Sequence, residues 1–218
     1  MATTTELAPQ SFAEAHARLG GIPLERIRMN PPPGSATEAD LERAGKPVCE
    51  LIDGVLVEKP MGMFESLLGI YIARLIGNHV AENELGVVTG EAGYIKLREN
   101  QVRSPDATFI PWSEFPTGEV PKGEAFWAVA PGLIVEVLSP GNTDAEIDRK
   151  LREFFDAGCK LAWVIDPPTK TAKVYTSAKK FKELDETGTL DGGKVLPGFK
   201  LPLADVFANG TRPKKKPR

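Results

Sequence analysis

Apolar positions recur at two different spacings along this 218-residue chain, and the change from one to the other predicts its elements. Residues 64 to 81 place Leu67, Leu68, Tyr71, Ile72, Leu75 and Ile76 on one helical stripe, with His79 on or beside it, which predicts a long amphipathic helix. Shorter helices are expected over 11 to 19, in SFAEAHARL, and over 37 to 44, where Thr37 or Ser35 supplies the capping oxygen. The segment ELIDGVLVEKP alternates around Asp53-Gly54, a pair suited to a tight hairpin, so two short antiparallel strands are expected there. Further strands are expected at 93 to 97 and 107 to 110, ahead of a Pro- and Gly-rich loop through 132. Then LIVEVL, a helix from Asp144 to Asp156 and LAWVID form a strand, helix, strand unit. Its two continuously apolar strands predict parallel neighbours buried on both faces. AKVYTS, 172 to 177, reads as an edge strand, and LPGFKLPLADVF as a closing loop and turn.

This length suits one core with appendages rather than two full domains. Residues 1 to 45 form an N-terminal arm of short helix and proline-rich connector, 46 to 207 the core domain, and 208 to 218 a basic, disordered tail. Cys49 and Cys159 stand far apart without a CxxC partner, which argues against a disulfide framework or a thiolate zinc site and fits a reducing cytoplasm. No leader pattern opens the chain and no run approaches a membrane span, so a cytoplasmic protein without membrane partners is expected. The net charge of -3 argues against broad attraction to nucleic acid, leaving that role to a local basic patch.

Glu136 interrupts the apolar run of LIVEVL, and an ionised carboxylate there must be paired, metal-bound or protonated. Asp106 follows a proline at the start of a neighbouring strand. Two acids meeting at one point of a sheet repel each other, and the remedies are a shared proton, a basic partner or a hard divalent cation such as Mg2+ or Mn2+. On the helix from Asp144, residues Ile147, Leu151, Phe154 and Phe155 form an apolar arc with Lys150 at its margin, aimed back toward the sheet, while Arg149, Arg152 and Glu153 take the wet side. A structural ion pair between Glu136 and Lys150, with Asp106 as a local turn residue, is the plainer reading of each residue taken singly. Taken together they suit a metal held by Asp106, Glu136 and the carbonyl of Val137, with a metal-activated water as nucleophile and Lys150 stabilising the transition state.

SPDATFI, LIVEVLSPGNT, EIDRKLREFFDAG and LAWVIDP, in this order, resemble the Uma-two family of restriction-endonuclease-like proteins, a branch of the PD-(D/E)XK nuclease superfamily. ELIDGVLVEKPMG and LPGFKL extend the likeness, so that it spans residues 50 to 207. The resemblance implies an α/β (α+β) restriction-endonuclease-like fold with a mixed central sheet flanked by helices. It also implies divalent-metal-dependent cleavage of phosphodiester bonds. It makes Asp106 and Glu136 the motif acids, Lys150 the motif lysine relocated to the helix from a position where this chain has Leu138, and Glu50 a further member of the metal shell. Many members have a histidine early in the long helix, where this chain has Glu65-Ser66.

Other chemistries lack their motifs, since GxxxxGK[ST], GxGxxG, HExxH and GxSxG are all missing. His79 reads as helix packing, Trp163 as core, and Asp144, Glu146 and Asp148 as helix N-terminal acids favoured by the dipole. The expectation is therefore a Mg2+-dependent endonuclease acting on DNA, or RNA, in which cutting both strands calls for a homodimer. The competing expectations are a non-catalytic nucleic-acid or protein-binding module on the same scaffold, and a phosphodiesterase for small substrates.

Overall fold

A computed structural model describes residues 11–60 and 62–211 of the chain. In chain order its helices are α1 (Phe12–Arg18), α2 (Glu38–Arg43), α3 (Met63–Glu82), α4 (Asp144–Asp156) and α5 (Leu203–Ala208). The strands are β1 (Cys49–Ile52), β2 (Val55–Glu58), β3 (Gly86–Gly90), β4 (Ile95–Arg98), β5 (Gln101–Arg103), β6 (Ala107–Pro111), β7 (Leu133–Val137), β8 (Leu161–Asp166), β9 (Thr171–Ser177), β10 (Lys180–Leu184), β11 (Thr189–Asp191) and β12 (Lys200–Pro202).

A six-stranded sheet in the order β10-β9-β8-β7-β6-β3 forms the centre. Its β7 and β8 run parallel, with Glu136 beside Val164, whereas β6 and β7 are antiparallel, so the sheet is mixed. The α4 crossover makes the parallel pair possible, because parallel neighbours cannot be joined by a tight turn. On one face α3 lays Leu68, Ile72 and Ile76 against Leu133, Val135 and Trp163. On the other, α4 lays Ile147, Leu151 and Phe154 against Ile134, Ala162 and Val164. This is a mixed α+β architecture of a sheet sandwiched between helices.

A second sheet, β2-β1-β5-β4, stands beside the first. Its hairpin turns on Asp53 at φ 49° and Gly54 at φ 74°, two successive left-handed residues of the kind a two-residue hairpin needs. Arg28 donates its N–H to Leu56 O at 2.9 Å along the outer edge of β2, where Leu19, Ile22 and Ile27 pack on Ile52, Val55 and Val57. Thr37 caps α2 in a reciprocal capping box with Asp40. The chain passes between the sheets at Ser104, Pro105 and Asp106, just after β5 and just before β6.

The C-terminal third departs from the sequence expectation. β9 is an interior strand, because the Lys-rich stretch from Lys180 pairs outside it as β10. Such an exposed, lysine-bearing border is what an edge strand requires, and its polarity hides it from a hydrophobic pattern. The expected closing loop is a β11-β12 hairpin followed by α5, and it adds Leu190, Leu196, Phe199, Leu201 and Val206 to the cluster under α3. The expected tail begins at the last residue of α5, and Arg212 to Arg218 lie outside the described residues, as do Met1 to Gln10 of the arm.

Candidate active site

Strand alternation sends Glu136 toward α4. Leu133, Val135 and Val137 belong to the cluster under α3 and Ile134 to the cluster under α4, so Glu136 shares the side of Ile134. On α4, Lys150 lies beside Leu151 and one turn from Ile147 and Phe154, and it is buried with them. Its Nζ stands 2.7 Å from Glu136 Oε1 and 2.9 Å from Glu50 Oε1. Among the described residues no hydrogen-bond donor is directed at the buried Glu136 Oε1, so its bond to Lys150 is a charge contact at poor angle.

Glu50 arrives from β1, fully buried between stronger claims. Its Oε2 accepts from Arg103 Nη1 at 2.8 Å, and its Oε1 accepts the Ser104 N–H at 2.9 Å in addition to facing Lys150. Arg103 in turn pairs with Glu153 at 2.6 Å. The wet side expected for Arg149 and Glu153 is therefore not found. Glu153 accepts from Gln101 at 2.9 Å, Arg103 at 2.7 Å and Arg149 at 2.6 Å, because β5 lies across that side of α4. Of the three residues, Arg152 alone is exposed.

Asp106 enters just ahead of β6, its N–H bonded to Val135 O at 3.1 Å. Its Oδ2 accepts the Val137 N–H at 2.6 Å, which ties the acid to the strand that bears Glu136. Its Oδ1 receives the ammonium of Lys59 at 2.8 Å, and that ammonium also donates to Ser104 O at 2.6 Å. Lys59 was not singled out by the sequence. It follows β2 in EKPMG, where a lysine next to a proline reads as a solvated turn; only the pairing of β2 with β1 and of β1 with β5 brings it to Ser104.

One cleft is lined by Glu50, Lys59, Asp106, Glu136, Val137 and Lys150, so the fold unites every residue singled out for the site and adds Lys59. Glu65 and Ser66, at the histidine position of the family pattern, line the same cleft. Burial pushes the Glu136 carboxyl up to about 7; Asp106 and Glu50 push the same way, and Lys150 and Lys59 oppose them. Burial acts on Glu50 as well, but Lys150, Arg103 and Lys59 outweigh it and hold that carboxyl far below the usual range. The two acids share one ammonium, and Glu50 has Arg103 in addition. Lys150, buried between Glu136 and Glu50, keeps its proton more tightly than an ordinary lysine because their charges outweigh the burial.

The donor set fits a small divalent cation in kind, with carboxylate oxygens of Asp106 and Glu136 beside Val137, and with Glu136 Oε1 buried without a directed donor. Among the described residues no three acid, histidine or cysteine side chains close into a ready-made cage, because the acids face lysine ammoniums instead. The remaining candidates are placed plainly. His79 stacks edge-on against Phe199 with its Nε2 3.0 Å from Pro197 O, and Trp163 is wholly buried in the core. Glu146 caps the start of α4, as a helix N-terminal acid should, and is also buried against Arg26. Cys49 and Cys159 are buried and free.

A family pattern described as "Putative restriction endonuclease", Uma2, matches residues 38–204. The chain belongs to the Uma2 family. A solved structure of a "putative nuclease belonging to DUF820" from Anabaena variabilis ATCC 29413 superposes on it with a TM-score of 0.66 at 21% identity, over 75% of this chain and 92% of the other. No curated protein matches the chain. The structural likeness gives Uma2 its restriction-endonuclease-like fold here, and the family description implies nuclease activity of the kind that generally uses divalent metals. No described helix is long and apolar enough to cross a membrane.

Proposed function

We propose that this Uma2 protein is a Mg2+- or Mn2+-dependent endonuclease acting on DNA in the cytoplasm, with Asp106, Glu136 and the carbonyl of Val137 as metal ligands and Lys150 as the catalytic cation. The observation that supports it best is the meeting of Asp106, Glu136 and Lys150, distant in sequence, at one cleft between the two sheets. A bound divalent ion supplies activation of water and neutralisation of phosphate charge. Lys150 is held against Glu136 and Glu50, so its ammonium is pre-set to accept the charge that gathers on the phosphate oxygens. Glu50, already claimed by Arg103 and Ser104, positions Lys150 better than it could coordinate a metal. Val137 would serve twice, its N–H orienting Asp106 and its carbonyl helping to hold the ion. Cutting both strands of a duplex would call for a symmetric pair of copies.

The test is incubation of purified protein with plasmid or single-stranded DNA and Mg2+ or Mn2+, beside Glu136→Gln and Lys150→Ala. Cleavage by the wild type alone supports the reading, and equal cleavage by all three proteins sinks it. One observation favours a second reading, a non-catalytic binding module: both Asp106 oxygens already have partners. Retained DNA binding with no metal uptake at millimolar concentration would select it.

A further inference from the structure

Lys59 lines the cleft and is bonded to Asp106, yet neither the family motifs nor the proposed chemistry assigns it a task. Its side chain is only 6% exposed, and its own N–H is pinned to Val48 O at 2.9 Å. Its ammonium touches a neutral carbonyl, Ser104 O, and a single carboxylate oxygen, Asp106 Oδ1. Lys150, by contrast, is shared between two carboxylates. Lys59 is thus the more weakly held of the two cations, and it sits on the atom that a metal would need. The other Asp106 oxygen is taken by a backbone amide, which cannot leave without opening the β7 strand.

We propose that Lys59 is the resident cation of Asp106, a positioning residue that holds the carboxylate in place until a divalent ion displaces it and so sets how much metal the site requires. The inference rests on Asp106 being a metal ligand. A cation approaching Oδ1 meets a like charge already bonded there, and the four-carbon stem of a lysine lets that charge withdraw along the cleft wall. Before the metal arrives, the ammonium prevents Asp106 and Glu136 from facing each other uncompensated. Metal and lysine are alternative remedies for the same repulsion.

The competition is measured by calorimetric titration of Mn2+ into the wild type, Lys59→Met, Lys59→Arg and Asp106→Asn, with circular dichroism to confirm folding. Lys59→Met is expected to bind Mn2+ at least tenfold more tightly than the wild type, Lys59→Arg to stay within about threefold of it, and Asp106→Asn to lose binding. A merely structural lysine would lower the melting temperature of the metal-free variant without tightening its metal affinity. If Lys59→Met does not fold, lysine-ammonium NMR of the wild type decides: Mg2+ should shift the Lys59 signal further than that of Lys150, which keeps its bond to Glu50. Wild-type binding with no gain in Lys59→Met, or with an unmoved Lys59 signal, overturns the inference and leaves the hydrolytic reading standing. Absence of binding in every variant overturns both.

Discussion

The Lys150 ammonium lies 2.7 Å from Glu136 Oε1, joining the centre of α4 to the C-terminal part of β7. Removing it strands Glu136 and leaves Glu50 with one cation fewer, and both carboxylates are buried. Lys150→Met should therefore cost about 3–5 kcal/mol of stability in the absence of metal. Urea denaturation measures it. A loss below about 1 kcal/mol would mean that the acids find other partners or protonate.

Glu136 gives stability a distinctive pH dependence. Its carboxyl titrates near 7 in the folded protein and near the ordinary 4.5 when unfolded. Between those values the native state binds more protons than the unfolded state, so stability falls as pH rises through this window. The contribution is fully present below about 4.5 and gone above about 7, up to roughly 3 kcal/mol in all. Thermal melts across pH should show Glu136→Gln lacking this fall and exceeding the wild type above pH 7. Because metal requires the ionised acid, Mn2+ affinity should rise with pH up to about 7 and level off beyond it.

Arg26 grips both carboxylate oxygens of Glu146, at 2.6 and 2.9 Å, in a nearly buried pair that anchors the arm on the first turn of α4. Arg26→Met alone should cost about 3–5 kcal/mol, and the double variant with Glu146→Leu considerably less than the sum. A double-mutant cycle by denaturation reads the coupling. Strict additivity would show that the pair contributes nothing.

Gly20 gives the arm its second fixed point. At φ 90° it lies so close to α4 that an added Cβ would come within 2.6 Å of the Glu146 backbone nitrogen. Gly20→Ala should destabilise by at least about 1–2 kcal/mol, from the left-handed backbone and the clash together. A melting temperature unchanged in Gly20→Ala would refute this docking.

Much of this could be read before folding, and the rest could not for definite reasons. The Asp53-Gly54 hairpin, the capping of α2 by Thr37 and the burial of Lys150 follow from local chemistry and periodicity, which are properties of short segments. β5 escaped because two of its three residues, Gln101 and Arg103, are polar yet buried, and only partners remote in sequence make that tolerable. Lys59 escaped for the same reason. Side chains whose burial is justified by distant charges leave no periodic trace.

The link from Ser104 through Asp106 is the seam at which two sheets, one built early in the chain and the other late, become one centre. Glu50 and Lys59 come from the first, while Glu136 and Lys150 wait on a crossover that is synthesised long after it. A nascent polypeptide still lacking α4 would hold its acids without the cation that organises them. Under the proposed chemistry, competence to cut would then be acquired only on completing the fold, and half-made copies would be harmless to nucleic acid around them.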